Sequence, residues 1–355
     1  MNKKFLSILL SCILLLALAT GCGGDSGSSS GDTGSGSASS GDTSADTTGG
    51  GDASSGNKNI TLVLSQRDEW LSTLVDAAEA AAKEKGYNMN TVDCLSDVSK
   101  AIQFVESARN AGEEVVIVNL VDPSQAGEII EAAGSMKVVF VNRLPGDMGV
   151  LNENAVYVGS NEREAGVYQA KALAEYFKAQ GKTDVKYILL NGILGQASTI
   201  NRTEGVLETL ASEGINATEA SAPLACDYDR ANAMDQISPL LTSGTQFDCI
   251  ISNNDAMALG AVEAMKSASM DPSAVPIVGV DCTADGAAAV AAGEMYMTVF
   301  QNAVGQGSGA MQAAINLLNG DAIDKDTGLS ADSDNPYIVW VPFEPVTADN
   351  VANYQ

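Results

Sequence analysis

The sequence predicts an α/β protein built as two doubly wound parallel-sheet lobes. Three observations lead there. From Lys58 onward, short and nearly continuous apolar runs alternate with Ala-rich segments of helical spacing. Such strands, each followed by a helix, imply parallel sheets covered on both faces. About ten runs divide roughly five and five around residue 160, which suits two similar lobes better than one very wide sheet. Polar side chains gather just after the runs, where open parallel sheets bind ligands.

The N-terminus stands apart from this pattern. Residues 1–21 pair Lys3 and Lys4 with an apolar stretch from Phe5 to Ala19, too short for a membrane span of about 20 residues. They read as a secretory signal. The ending "LATGC" resembles a bacterial lipobox, so Cys22 is expected to carry lipid and become the mature N-terminus. Residues 23–57 are almost wholly Gly, Ser, Thr, Ala and Asp, with no Lys or Arg. They cannot bury enough apolar surface to order themselves. A 35-residue tether of this kind reaches on the order of 33 Å. The expected location is the extracytoplasmic face of a cell membrane, in the manner of Gram-positive surface lipoproteins.

The formal charge of −26, from 19 basic and 45 acidic residues, argues against nucleic acid and anionic lipid as partners. The absence of His removes Ser-His-Asp and Cys-His catalysis and most zinc sites. Cys94, Cys226, Cys249 and Cys282 remain in the folded part and form no CxxC pair. No metal and no cofactor is expected. Four Cys allow three pairings, and nothing in the sequence chooses one; Cys249, inside an apolar run, reads as a buried free thiol.

The runs, in order, are "ITLVLS" (60–65), "YNMNTVD" (87–93), "EVVIVNL" (114–120), "KVVFVN" (137–142), "AVYVGS" (155–160), "VKYILLNG" (185–192), "INATEAS" (215–221), "FDCIIS" (247–252), "VPIVGVD" (275–281) and "MYMTVF" (295–300). Helical stretches such as "LVDAAEAAAKEKG" and "EREAGVYQAKALAEYFKAQG" lie between them and stop at Gly86 and Gly181. Right-handed crossovers follow. After the runs come "QRDEW", "NRLP", "ILGQASTINR", "NNDA", "DCTAD" and "QN". Any one such end is weak, since Asx residues often only cap the next helix. Together they offer carboxylates, amides and Arg, the acceptors and donors that adjacent sugar hydroxyls need. Trp70 and Tyr228, in loops of opposite halves, offer flat surfaces for the apolar face of a pyranose. In "SNNDAMALGAVEAM" (252–265), two amides and a carboxylate crowd the end of an apolar run, and Asp255 reads as a cap for the following helix. "GQGSG" (305–309) lacks the strand context and the Lys of a phosphate loop. A nicotinamide enzyme would need G-x-G-x-x-G where the chain has "SQRDEW"; a sugar-responsive repressor would need a basic N-terminal helix-turn-helix.

The runs "VIVNLVDPSQAGEIIEAA", "VVFVNRLP", "VYVGSNEREAG", "SNNDAMALGAVEAMK" and "VPIVGVD", with the tail "VWVPFEPVTADN", resemble the periplasmic sugar-binding proteins of ABC importers. The galactose/glucose branch is nearest, then the ribose branch. The resemblance covers essentially the whole foldable chain and implies a type I binding-protein fold. One lobe would be 58–159 plus 303–336, the other 160–302 plus 337–355, with crossings near Gly159–Ser160, Gln301–Val304 and Asn335–Ile338. It implies a ligand set by motif: Asp68 or Glu69, the stacking Trp70, Asn142 with Arg143, Arg202, the second stacking Tyr228, Asn254, the hydroxyl-clamping Asp281, and Gln301, which is more like the ribose branch. The plain alternative for Arg202 is pairing with Glu204 or Glu208. The galactose branch carries a His and an Asp where this chain has Gln196 and Ser198, and a calcium loop that "QGKTDVKYILL" lacks. The implied protein is a monomeric, non-enzymatic receptor for a monosaccharide, delivering it to an ABC permease. The alternative is another small polyol, an autoinducer-like furanose or a nucleoside, with a chemosensory role open in either case.

Overall fold

The computed structural model describes residues 57–355. The expected signal, Cys22 and most of the tether lie outside the described residues.

The first sheet is built from β1 (Asn59–Leu64), β2 (Asn88–Asp93), β3 (Val115–Val118), β4 (Lys137–Val141) and β5 (Ala155–Gly159). Its helices are α1 (Glu69–Glu84), α2 (Val98–Asn110) and α3 (Ala126–Ala133). The second lobe follows with α4 (Glu162–Ala179), β6 (Asp184–Asn191), α5 (Ala197–Ser212), β7 (Asn216–Glu219) and β8 (Leu224–Ala225). It continues with α6 (Arg230–Thr242), β9 (Cys249–Ser252), α7 (Asp255–Ser267), β10 (Ile277–Val278), α8 (Ala284–Ala291) and β11 (Met297–Gln301). The chain then returns through α9 (Ala303–Asn319), β12 (Ser330–Ala331) and β13 (Ile338–Trp340), and ends in β14 (Phe343–Thr347). Each of the ten runs read from the sequence holds one of these strands.

The first sheet has the order β12-β13-β5-β4-β3-β1-β2 and the second β14-β11-β10-β9-β6-β7, with β8 extending the β6 edge. Pairing is parallel except at β12–β13 and β11–β14. Strand alternation divides the core as two-sided sheets require. In β1, Ile60, Leu62 and Leu64 pack with α1 and α9, whereas Val63 faces the opposite layer with Val105 and Ile129. In β6, Ile188 and Leu190 face one layer of the second lobe; Tyr187 and Leu189 face the other.

The third crossing departs from expectation. Ile338, Val339 and Trp340 do not open the second lobe; they pair with Tyr157, Val158 and Gly159 in the first sheet. The chain crosses at Val341–Pro342, after the Val341 N–H donates to the Gly159 carbonyl at 2.7 Å. Pro342 has no N–H to continue the ladder. The next residues pair with β11 of the second sheet. The other two passages fall between β5 and α4 and between β11 and α9.

Helix pairs approach closely where one partner has no side chain. A Cβ on Gly166 of α4 would lie 2.2 Å from the Arg202 carbonyl oxygen of α5. Equivalent close approaches occur at Gly260, against the Arg230 carbonyl, and Gly307, against the Leu74 carbonyl.

Candidate functional site

The carboxyl ends of both sheets face one cleft of about 370 Å³, within the roughly 300–1,000 Å³ usual for small-molecule sites. All ten residues singled out in the sequence line it. The first lobe contributes Asp68, Glu69 and Trp70 after β1, and Asn142 and Arg143 after β4. The second contributes Arg202 from α5, Tyr228 after β8, Asn254 after β9, Asp281 after β10 and Gln301 at the end of β11.

Backbone conformations at these ends are unusual. Asn142, Tyr228 and Asp281 have φ of 64°, 62° and 112°. Non-glycine residues held there cost energy that the surrounding structure must supply. The turns aim each side chain away from the strand direction and toward the cleft.

Several candidates are already partly committed inside the protein. Asp68 caps α1, its Oδ1 accepting from the Leu71 N–H at 2.8 Å. Glu69 and Trp70 open α1 rather than lying in a loop, and Glu69 is thus the acidic residue there without a capping task. Asn142 Oδ1 accepts from Asn119 Nδ2 at 3.2 Å. Arg143 Nη1 donates to the Leu120 and Val121 carbonyls at 2.9 and 3.2 Å. The Trp70 indole N–H donates to the Gln301 carbonyl at 3.1 Å.

Tyr228 is pinned at the hydroxyl end of its ring. Its hydroxyl is hydrogen-bonded to Ser198 Oγ at 2.7 Å and Thr199 Oγ1 at 2.8 Å. One ring face rests on Gly192, where a Cβ would come within 2.0 Å of the Tyr228 Cζ. Ser198, noted as a departure from the galactose branch, therefore holds the aromatic wall.

The roles read into "NND" are redistributed. Asn254, not Asp255, caps α7: its Oδ1 accepts from the Met257 N–H at 3.0 Å. Among the described residues no acceptor reaches its Nδ2, which remains available to the cleft. Asp255 is fully buried behind the site. It accepts from Thr298 Oγ1 at 2.6 Å and from the Thr283 N–H at 3.1 Å. Burial nonetheless pushes its carboxyl up to about 7. Asn253 is structural: Oδ1 accepts from the Gly192 N–H at 3.1 Å and Nδ2 donates to Thr203 Oγ1 at 3.2 Å.

Arg202 is 4% exposed and pairs with neither Glu204 nor Glu208. Its Nε donates to Glu162 Oε2 at 2.6 Å, Nη1 to the Asn253 carbonyl at 2.6 Å, and Nη2 to Gln301 Oε1 at 3.3 Å. Burial works against its charge, but the carboxylates of Glu162 and Asp281 outweigh that and hold the guanidinium above its ordinary range. Asp281 is the opposite case. It is 8% exposed, and its nearest cation, Arg202 Nη1, stands 3.9 Å away. Among the described residues no side chain or N–H donates to its carboxylate. Burial raises its carboxyl well above the ordinary range; Arg202 opposes the rise, and Asp255, Asp68 and Glu162 add to it.

Glu162 and Gln196 stand outside the ligand set that the sequence implies. Both are 7% exposed and line the cleft. Glu162 sits in the quoted "NEREAG" as one of two acidic residues in the first turn of α4, and its partner Arg202 lies 40 residues away. Gln196 stands at the N-cap of α5 without capping it. Among the described residues, no group of three or more His, Cys, Asp or Glu could hold a metal ion. The four Cys there are free and buried.

Comparison with known proteins fits this geometry. Residues 60–322 match the periplasmic binding protein domain. The chain is 31% identical over 291 residues to a putative rhizopine-binding protein of Rhizobium meliloti, covering 81% of this chain and 89% of that one. It is 32% identical over 261 residues to the D-galactose/methyl-galactoside binding periplasmic protein MglB of Haemophilus influenzae, covering 70% and 77%. An ABC transporter solute-binding protein of Bacillus halodurans, solved with bound myo-inositol, superimposes with a TM-score of 0.74 at 27% identity, over 85% of this chain and 98% of that one. The chain belongs to the periplasmic binding protein domain family and has its two-lobed type I fold.

Proposed function

We propose that the protein is an extracytoplasmic receptor that captures a monosaccharide, or a cyclic polyol of similar size, between its lobes and delivers it to an ABC permease without transforming it. The observation that carries this reading is Asp281. A buried carboxylate with no protein donor is costly, and neighbouring hydroxyls of a polyol supply donors where the protein supplies none. Nδ2 of Asn254 and the amide of Gln196 complement it, and the Trp70 and Tyr228 rings offer apolar walls. Discrimination between epimers then rests on how many buried polar groups stay unpaired with the wrong one. The names of the relatives support the class: rhizopine, galactose and myo-inositol. Gln196 and Ser198, where the galactose branch carries His and Asp, favour a ligand other than galactose, and the myo-inositol complex makes a cyclitol the first alternative.

A thermal-shift screen against pentoses, hexoses, inositols, nucleosides and amino acids tests the proposal, because a bound ligand raises the melting temperature by mass action. A shift with a nucleoside or amino acid, and with no sugar or cyclitol, would overturn it. Lipidation at Cys22 is part of the proposal and rests on the "LATGC" motif. Labelled palmitate should enter the wild-type protein in cells and not the Cys22→Ala variant; equal labelling would remove the anchor.

A further inference from the structure

Glu162 is a buried carboxylate in the first turn of α4, just past the first chain crossing. Its Oε2 accepts from Arg202 Nε at 2.6 Å, and Oε1 accepts from Gln301 Nε2 at 3.5 Å. The approach is built into the backbone. Gly166 and Gly205 let α4 and α5 meet so closely that added Cβ atoms would lie 2.2 and 2.5 Å from opposing carbonyl oxygens. Arg202 has a second carboxylate nearby, since Asp281 Oδ1 lies 3.9 Å from Nη1. All three guanidinium nitrogens are nevertheless used elsewhere, by Glu162, the Asn253 carbonyl and Gln301.

From this we infer that Glu162 is a positioning residue of the binding site: it holds Nε of Arg202 and, with the Asn253 carbonyl on Nη1, keeps the guanidinium from closing on Asp281, so that the Asp281 carboxylate stays free to accept ligand hydroxyls. The inference rests on the proposed receptor function for its meaning, but not for its test. A guanidinium next to two carboxylates pairs with the better-placed one. Without the Glu162 charge, Asp281 becomes the counter-ion of Arg202. The ligand would then have to break an ion pair before using Asp281. The charged groups acting on Asp281 are Arg202 from α5, Asp255 from α7, Glu162 from α4 and Asp68 from the loop before α1. Removing Glu162 deletes one negative neighbour and takes away one of the three anchors of the positive one, and both changes favour the ionised carboxylate.

The decisive measurement needs no ligand. The Asp281 side-chain carboxyl is followed by ¹³C NMR against pH, in the purified wild type and in Glu162→Gln, with Asp281→Asn assigning the signal. The midpoint should fall by at least about one pH unit in Glu162→Gln. An unchanged or raised midpoint would overturn the inference. Glu162→Asp, which keeps the charge on a shorter arm, should give a smaller shift in the same direction and serves if Glu162→Gln does not fold. With myo-inositol as the probe, Glu162→Gln should bind at least about tenfold more weakly, and the midpoint of its affinity-versus-pH curve should move down with that of Asp281. A weaker affinity with an unmoved midpoint would make Glu162 merely structural. Failure of myo-inositol to bind wild type bears on the proposed ligand class alone, since the carboxyl titration stands without it.

Discussion

The indole N–H of Trp70, in the first lobe, donates at 3.1 Å to the backbone carbonyl of Gln301, where the second sheet ends and the chain crosses back. The aromatic wall of one lobe is thereby fixed to the hinge end of the other. Gln301 also meets Arg202 and Glu162 through its side chain. A continuous set of hydrogen bonds thus runs from Trp70 to the guanidinium in the second lobe.

Trp70 and Trp340 are the two tryptophans of the chain, and both line the cleft. Tryptophan emission should therefore change in wavelength or intensity as a ligand saturates the site. Trp70→Ala should lose most of that signal and weaken binding by roughly 30-fold, about 2 kcal/mol, the order expected for a lost aromatic contact surface. Titration followed by calorimetry checks the affinity independently of fluorescence. Unchanged affinity in Trp70→Ala would take the ring off the ligand.

Asp281 should separate binding from stability. Removing its carboxylate removes charge-assisted hydrogen bonds worth about 1.5–3 kcal/mol each, so Asp281→Ala should bind at least about 100-fold more weakly. The ligand-free protein should respond the other way. Asp281→Asn removes a carboxyl whose ionisation burial opposes, and its melting temperature at pH 7 should exceed that of wild type. A lower melting temperature for the ligand-free Asn variant would mean that the carboxylate has a structural partner.

Gly192 tests the second aromatic wall without touching it. An alanine Cβ there would overlap the Tyr228 ring, at 2.0 Å from Cζ. The ring cannot retreat, because its hydroxyl is held by Ser198 and Thr199. Gly192→Ala should therefore displace it into the cleft and weaken binding at least about tenfold. Overpacking of this kind costs about 1–3 kcal/mol of stability, which chemical denaturation would read. Full affinity in this variant would show that Tyr228 is no part of the binding surface.

What the sequence disclosed and what it hid have physical causes. Near-continuous apolar runs betray two-sided burial in the central strands, whereas the edge strands β2 and β7 are polar and largely unburied and are legible only from the alternation of strands with helices. Cleft-lining side chains follow from the way parallel sheets bring strand ends together, which is why Trp70, Asn142 and Asp281 are legible in the sequence. Pairings between distant residues leave no local trace. Glu162 looks like any acidic residue in the first turn of a helix, and only the folded chain brings Arg202 to it. Asn254 and Asp255 are both good caps, and one residue of offset decides which caps and which is buried. The short β13 and β14 are separated by only Val341 and Pro342, and an apolar pattern cannot say which sheet each will join.

The pH dependence of stability follows from the same buried carboxyls. The chain has no His, so no side chain with an ordinary pKa titrates between about pH 5 and 8. Burial raises Asp255 to about 7 and Asp281 well above the usual carboxylate range. Each folded-state pKa therefore lies above the unfolded value of about 3.9. Between those values the folded state holds more protons than the unfolded one, so stability falls as pH rises. Asp248, Asp271 and Asp332 are shifted down. Their stabilising contribution is lost only as pH falls through their lowered folded pKa values, below this window. The ligand-free melting temperature should thus decline from pH 5 to pH 8, and Asp281→Asn should flatten that decline. Saturating ligand should flatten it too, since hydroxyls donating to Asp281 favour its ionised form. Melting curves across that range decide it: a temperature that rises from pH 5 to 8 would mean that neither buried carboxyl carries the burden assigned to it.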